Sequence, residues 1–255
     1  MTSIISSMKK IALLMVVIVC AFCFCSCEKE SSEIIDYGCV KEDSKEYLVY
    51  RPENGEAKFG LIFYVGTAIS PSNYEYLGKA LASHGYALIL PKVKGGFSYV
   101  FYEKEESAFS DFGEMGFFVG GHSQGGGAAV RRAQENKNAI YGVILYAPLC
   151  YGEDTLSNVY TPTLLIEATL DNVLTEDMKI DAKKRLPVTR TQHLIEGCHM
   201  SFSSNDSDAV LAMFNDGPLT EEQKAKQKEL TVEYTLAFMD KVTSGLYPMP
   251  LPLFE

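Results

Sequence analysis

Apolar residues fall into short runs along the chain, and segments with helical spacing separate these runs. The runs are rich in Val, Ile, Leu, Phe and Tyr, which is typical of strands. The predicted strands are Glu46–Tyr50, Phe59–Val65, Tyr86–Val93, Phe117–Gly121, Tyr141–Leu149, Thr163–Ala168 and Gln192–Glu196. The predicted helices lie between Ser70 and His84, near Tyr99–Phe109, and over Gln124–Asn136, Glu176–Leu186 and Thr220–Val242.

Strands that alternate with helices in this way predict an α/β fold. Crossover helices cover both faces of a mostly parallel sheet, so its strands are apolar along most of their length. The alternation is not interrupted, and the chain has no internal repeat or low-complexity tract. We therefore predict a single domain over residues 46–255.

The first 26 residues have the pattern of a signal peptide. Lys9 and Lys10 precede an uncharged apolar run, Ile11–Phe24, which is shorter than the about 20 residues needed to span a membrane. The stretch 24–27 resembles a bacterial lipobox that ends at Cys27, although Phe24 and Cys25 replace the usual aliphatic and small residues.

From this pattern we expect a lipid on Cys27 and a domain on the extracytoplasmic face of a bacterial membrane. Residues 27–45 would form a tether and the start of the folded body. A plain cleaved signal peptide and an uncleaved anchor are the alternatives, and each of them also implies export.

Charge excludes one class of partner. The 33 acidic and 23 basic residues give a net charge of −10, and no basic run stands out. A protein that binds nucleic acid needs a basic surface for the phosphate backbone, so we expect no nucleic-acid partner. The sequence indicates no cofactor or metal, and it does not indicate an oligomeric state.

The segment 121–125 matches G-x-S-x-G, with Ser123 at its centre. Alone, this pattern is weak. Here it follows the apolar strand 117–119 and precedes a helical run, which is the strand-turn-helix setting of a nucleophilic serine. A glycine-rich turn without chemistry is the alternative. A phosphate-binding loop is excluded because no G-K-[ST] follows.

A serine nucleophile needs a base and a carboxylate that orients the base. His199 follows the last predicted strand, at the edge where α/β sheets place their sites, so we predict that it is the base. His84 ends a helix, His193 lies within a strand, and His122 is expected to point elsewhere. Asp171 follows the strand Thr163–Ala168 and is the predicted acid.

Glu153 and Asp154 could reach the base instead of Asp171, but they have the pattern of solvated loop charges. For the oxyanion that forms during acyl transfer, we predict two backbone donors, the N–H groups of Gln124 and Thr67. The Gly66-Thr67 pair could also be a simple strand-ending turn.

These segments together resemble the α/β-hydrolases, in particular a small lid-less bacterial branch that includes dienelactone-hydrolase-like proteins and esterases. The resemblance spans about Tyr47 to Val242 and is carried by 60–66, 74–91, 121–126 and 196–199. It implies hydrolysis of carboxylic esters through an acyl-enzyme, with the order Ser123, Asp171, His199. The chain departs from many relatives at Val65-Gly66, where they have His-Gly, and from dienelactone hydrolases, which use a cysteine nucleophile.

Only residues 150–162 separate the predicted strands Tyr141–Leu149 and Thr163–Ala168, which leaves no room for a lid. We therefore expect an open site and small or extended ester substrates. Tyr99, Tyr102 and Tyr151 either line a pocket or pack in the core.

Export permits a disulfide, for example between Cys150 and Cys198; otherwise Cys39, Cys150 and Cys198 are small buried apolar residues. The alternative functions are a non-catalytic binding module and an acyltransferase.

Overall fold

Eight strands form one sheet in the computed structural model, which describes residues 36–93, Ser98, 106–136 and 139–245, without the side chains of 106, 107 and 109. The strands are β1 Val40–Asp43, β2 Tyr47–Arg51, β3 Phe59–Tyr64, β4 Ala87–Pro91, β5 Gly116–His122, β6 Ile140–Tyr146, β7 Thr163–Ala168 and β8 Thr191–Ile195. The predicted signal peptide, Cys27, Tyr99 and Tyr102 lie outside the described residues.

The strand order is β1-β2-β4-β3-β5-β6-β7-β8. The β1–β2 and β2–β4 pairs are antiparallel, and all pairs from β4 to β8 are parallel. Consequently the carboxyl ends of β3, β5, β6, β7 and β8 meet at one edge of the sheet, where open α/β sheets bind their ligands.

Helices cover both faces of the sheet. In the described residues these are α1 Glu75–Ser83, α2 Glu106–Asp111, α3 Gln124–Glu135, α4 Glu176–Lys184, α5 Asp208–Met213 and α6 Glu221–Thr243, with short 3₁₀ turns at Pro71–Tyr74 and Met200–Phe202. α1 and α6 pack on one face, and α2, α3 and α4 pack on the other.

Alternate residues of each central strand serve the two faces, as the period of a strand requires. In β3, Leu61 and Phe63 join the core under α1 and α6, whereas Ile62 and Tyr64 join the core under α3. The expectation of an α/β fold with a mostly parallel sheet and helices on both faces is confirmed.

Two short elements were not predicted, and the predicted strands Tyr86–Val93 and Tyr141–Leu149 extend beyond the ends of β4 and β6. β1 is a charged edge strand with three exposed residues, and α5 has only six residues, so neither has a clear apolar pattern. β6 ends at Tyr146 and not at Leu149, because Ala147 takes a positive φ of 39° and Pro148 has no N–H for the ladder.

The suggested disulfide between Cys150 and Cys198 is not present, and Cys39, Cys150 and Cys198 are free thiols. Cys198 lies in the core under α6, whereas Cys150 lies in the core under α3, on the opposite face of the sheet. Burial is the main cause that raises the pKa of both thiols, to about 11 for Cys198 and about 12 for Cys150. Both are therefore neutral packing groups.

Candidate active site

Ser123 lies at the carboxyl end of β5, in a backbone conformation that non-glycine residues rarely adopt. Its φ is 55° and its ψ is −123°. The surrounding structure holds this conformation in place: the Ser123 N–H donates to the Tyr146 carbonyl at 3.0 Å, and the Ser123 carbonyl accepts from the Leu149 N–H at 2.9 Å. Such a strained turn is typical of a functional site.

Two glycines permit this turn because other chain segments approach them closely. A Cβ at Gly121 would lie 2.2 Å from the Gly125 carbonyl oxygen, and a Cβ at Gly125 would lie 2.0 Å from the Tyr64 carbonyl oxygen. Both contacts are with backbone, which has little room to move. The two Gly positions of the G-x-S-x-G pattern are therefore required sterically on both sides of Ser123.

His199 and Asp171 are hydrogen-bonded to each other after the carboxyl ends of β8 and β7. The distance between His199 Nδ1 and Asp171 Oδ2 is 2.9 Å, and both side chains are buried. The other oxygen of Asp171, Oδ1, accepts the N–H groups of Val173 and Leu174, each at 3.0 Å. These bonds fix the carboxylate so that Oδ2 faces the imidazole.

The environment of Asp171 keeps its carboxyl ionised. Burial alone would raise the pKa of Asp171, but the hydrogen bond from His199, the charge of His199 and the Leu174 N–H together lower it below its usual value. An ionised carboxylate can only accept, so His199 Nδ1 donates and the Nε2 atom is left to accept a proton.

His122 contacts His199 and does not point away from the site, so the expectation for its side chain was wrong. The centroids of the two rings are 4.7 Å apart, and His122 is fully buried. Tyr74 explains its orientation, because the Tyr74 hydroxyl accepts the Gly66 N–H at 3.3 Å and donates to His122 Nδ1 at 2.9 Å.

Burial lowers the pKa of His122 well below its usual value, and the charge of His199 lowers it further. His122 is therefore neutral beside His199 at ordinary pH. His122 directly precedes Ser123 along the chain, so His199 contacts the residue before the candidate nucleophile. Among the described residues no hydrogen bond joins Ser123 Oγ to His199, a bond that often tightens only when substrate binds.

Thr67 and Gln124, the two predicted oxyanion donors, lie together. The Thr67 hydroxyl donates to Gln124 Oε1 at 3.1 Å. Gln124 is the first residue of α3, so its N–H has no partner within the helix. Thr67 is exposed in a turn that the Ile69 N–H closes on the Gly66 carbonyl at 3.1 Å, with Ala68 at a positive φ of 58°.

The residues considered as alternative acids and bases make contacts outside the His199–Asp171 pair. Asp154 accepts from Arg131 Nε at 2.8 Å, and Glu153 is exposed. His84 is exposed and bonds the Ala80 carbonyl, and His193 stacks on Tyr234 with 3.8 Å between the ring centroids. None of these residues contacts the His199–Asp171 pair in the described part of the chain.

Two supporting residues were missed in the sequence. Tyr74 lies where a helical pattern was predicted and has the spacing of a core residue. Gln227 lies in α6, where it accepts the Cys198 N–H at 3.0 Å and donates to the Cys198 carbonyl at 2.8 Å. No pattern in the sequence connects Gln227 to the residue before His199. In the described residues, no group of three or more His, Cys, Asp or Glu side chains is arranged to hold a metal ion.

The model of the alpha/beta hydrolase family matches residues 60–208 of the chain. The chain belongs to this family. The match begins in β3 and includes Ser123, Asp171 and His199. A search of curated proteins finds no match.

Among solved structures, this alpha/beta hydrolase is similar to the crystal structure of a predicted CIB-like hydrolase from Thermoplasma acidophilum. The TM-score is 0.51 and the sequences are 14% identical, over 69% of this chain and 96% of the other. At this identity the similarity supports the fold alone.

Replacing Gly125 by Ala tests the close approach at the turn. We expect Gly125→Ala to lower the free energy of unfolding by more than about 3 kcal/mol, because the new Cβ would overlap the Tyr64 carbonyl. Gly60→Ala is the matched control, since its Cβ would meet its nearest neighbours at 3.6 Å, and we expect a change of less than about 1 kcal/mol. Urea unfolding measures both, and equal effects would contradict the proposed packing.

The titration of Asp171 tests its environment. We expect the carboxyl of Asp171 to titrate with a midpoint below the usual value of about 3.9. NMR of the labelled carboxyl carbon as a function of pH measures this midpoint. The contribution of Asp171 to stability is then complete above its unfolded pKa and is lost as the pH falls through its folded pKa.

In His199→Ala the titration midpoint of Asp171 should rise, because burial raises the pKa of the carboxyl and the hydrogen bond and charge of His199 no longer lower it. His193→Ala is the control and should leave the midpoint unchanged, since His193 stacks on Tyr234. A midpoint that does not respond to His199→Ala would show that the two side chains are not coupled.

Proposed function

We propose that this alpha/beta hydrolase cleaves carboxylic esters through a covalent acyl-enzyme, with Ser123 as nucleophile, His199 as base and Asp171 as the orienting acid. The observation that carries the proposal is the buried His199–Asp171 hydrogen bond of 2.9 Å, together with the contact of the His199 ring with His122, the residue before the strained turn of Ser123. Few structural roles need both a strained serine turn and an imidazole that is oriented by an ionised carboxylate at the same edge of the sheet.

The first half of the reaction forms the acyl-enzyme. Ser123 Oγ attacks the ester carbonyl carbon while His199 Nε2 takes the hydroxyl proton, and Asp171 stabilises the imidazolium. The carbonyl oxygen becomes negative and accepts the N–H groups of Gln124 and Thr67, a contribution of roughly 3 to 4 kcal/mol per donor. The imidazolium then gives its proton to the leaving alkoxide as the ester bond breaks.

The second half releases the acid. A water molecule attacks the acyl carbon, and His199 Nε2 takes one of its protons. When the bond to Ser123 Oγ breaks, that proton returns to the serine, which restores the starting enzyme. The neutral state of His122 supports this cycle, because a charged neighbour would oppose the imidazolium in both halves.

We further propose that the site is open and accepts small or extended esters. The connection between β6 and β7 contains no helix or strand. Arg185 anchors it, because Arg185 Nη1 donates to the carbonyls of Gly152 and Asp154. Burial raises the pKa of Tyr151, which is half-buried in this connection, and a hydrogen bond with Gln124 opposes the shift. Tyr151 therefore lies at the rim next to the turn of Ser123.

We also propose that the enzyme is exported and attached to a membrane through a lipid on Cys27. In the described residues no helix has both the length and the apolar character that crossing a membrane requires. The signal pattern of residues 1–26 and the lipobox-like stretch before Cys27 support attachment at the N-terminus.

Ser123→Ala tests the nucleophile. We expect it to reduce kcat for a short p-nitrophenyl ester by about 10⁶-fold and to abolish labelling by a fluorophosphonate, because the attacking oxygen is lost. Ser72→Ala removes an exposed serine far along the chain and is the control, which should keep wild-type turnover and labelling. Turnover or labelling that persists in a folded Ser123→Ala enzyme would refute the mechanism, and a wild-type protein that never labels would favour a binding module.

Cys27→Ala tests the anchor independently of catalysis. We expect the wild-type protein to incorporate a labelled fatty acid and to sediment with membranes, and Cys27→Ala to lose the label. Cys25→Ala is the control, since Cys25 precedes the proposed cleavage point, and it should still be labelled. A labelled Cys27→Ala protein would contradict lipid attachment at this residue.

A further inference from the structure

Asp216 accepts three backbone N–H groups in the interior, and none of the steps above uses it. It lies between α5 and α6 and is 1% exposed. Its Oδ1 accepts the N–H groups of Asn172 and His199, each at 3.2 Å, and its Oδ2 accepts the Met200 N–H at 2.7 Å. One carboxylate thus binds backbone from two separate segments.

These segments carry the acid and the base. The acid loop, residues 169–175, contains Asp171, and Asn172 is its neighbour. The base loop, residues 196–200, contains His199 itself. A direct bond from the Leu170 N–H to the Gly197 carbonyl, at 2.8 Å, already joins the two loops near their first residues. Asp216 adds a link at the catalytic positions, because it binds the N–H next to Asp171 and the N–H of His199 itself, whereas the Asp171 carboxylate reaches the base loop only through the His199 side chain.

The charge of Asp216 is compensated by these amides. Within the described part of the chain it pairs with no lysine or arginine, although a buried carboxylate is costly without compensation. Its own position is also fixed, because the Asp216 N–H donates to the Leu211 carbonyl at 2.9 Å and Asn215 takes a positive φ of 53°. The segment is built to present this carboxylate to the two loops.

We propose that Asp216 is a positioning residue for the proposed ester hydrolysis, tying the acid loop to the base loop so that His199 and Asp171 keep their catalytic alignment. It acts through His199 and does not contact substrate. The proposal rests on the proposed function, in which alignment of the imidazole determines the rate of proton transfer.

Asp216→Asn is the variant that tests this role most directly. Asparagine has the same shape, but one of its two acceptor oxygens becomes an NH₂ donor, which must then face at least one of the three N–H groups. Asp206→Asn is the matched control, because Asp206 is also buried and pairs with Lys228 Nζ at 2.7 Å, without a bond to either loop.

We expect Asp216→Asn to lower kcat for the p-nitrophenyl ester by about 10²-fold, with KM within about twofold of the wild type. Asp206→Asn should keep kcat and KM within about twofold. A structural role alone would predict that both variants melt earlier while the folded fraction keeps its kcat.

A second readout does not depend on activity. The proton between His199 Nδ1 and Asp171 Oδ2 should give a downfield ¹H NMR signal in the wild type that is lost or shifted in Asp216→Asn and unchanged in Asp206→Asn. If the wild type shows no hydrolysis that depends on Ser123, the proposed function fails, yet this signal still tests the alignment.

Chemical rescue covers the case in which Asp216→Asn does not fold. Asp216 borders an open surface depression together with Leu211 and Pro218, and we expect formate to enter the space left by Asp216→Ala from this side. We expect formate, and not chloride, to restore both kcat and the NMR signal in this variant.

Three results would overturn the proposal. The first is a folded Asp216→Asn enzyme with the kcat and NMR signal of Asp206→Asn. The second is an Asp216→Ala enzyme that formate stabilises without restoring turnover. The third is loss of folding in both Asp216 variants with or without formate, which would make Asp216 a structural residue.

Discussion

The positive φ of Ser123 is the constraint on which the site depends. A non-glycine residue in this conformation costs about 1 to 3 kcal/mol, so it persists only where the surroundings determine it. Here the backbone bonds to Tyr146 and Leu149 hold it, and the contacts at Gly121 and Gly125 exclude any larger residue. Ser123 therefore lies in the turn between the end of β5 and the start of α3, outside the sheet.

Strain is concentrated around this point. In the described residues the non-glycine residues with positive φ are Ala68, Ser123, Ala147 and Asn215. The first three follow the carboxyl ends of β3, β5 and β6, and the fourth precedes Asp216. Backbone hydrogen bonds hold the turns at Ala68, Ser123 and Ala147, whereas the buried carboxylate of Asp216 binds the loops that follow β7 and β8.

The fold was predictable, and the candidate site residues could be proposed, because both depend on local patterns. Alternating apolar strands and helices determine an α/β sheet, and in such a sheet residues that follow the strands, such as Ser123, Asp171 and His199, come to one edge. The G-x-S-x-G pattern gained its meaning from the strand before it and the helix after it. The order of the three residues along the chain followed the family resemblance.

The supporting contacts were not predictable, because they join segments far apart in sequence. Tyr74 has the spacing of a core residue, and nothing shows that its hydroxyl binds His122. Asp216 lies in an Asn-Asp-Gly-Pro stretch, which is typical of an exposed turn. The end of β6 at Tyr146 depends on Ala147, whose φ is set by tertiary packing and not by its own preference.

The most direct test of the account is a crystal structure of the protein after reaction with a p-nitrophenyl phosphonate. We predict a phosphorus atom bonded to Ser123 Oγ, a phosphonyl oxygen within hydrogen-bond distance of the Gln124 N–H, and His199 Nε2 facing Ser123 Oγ. An adduct on another residue, or a His199 ring that lies beyond reach of Ser123 Oγ in the adduct, would contradict the account.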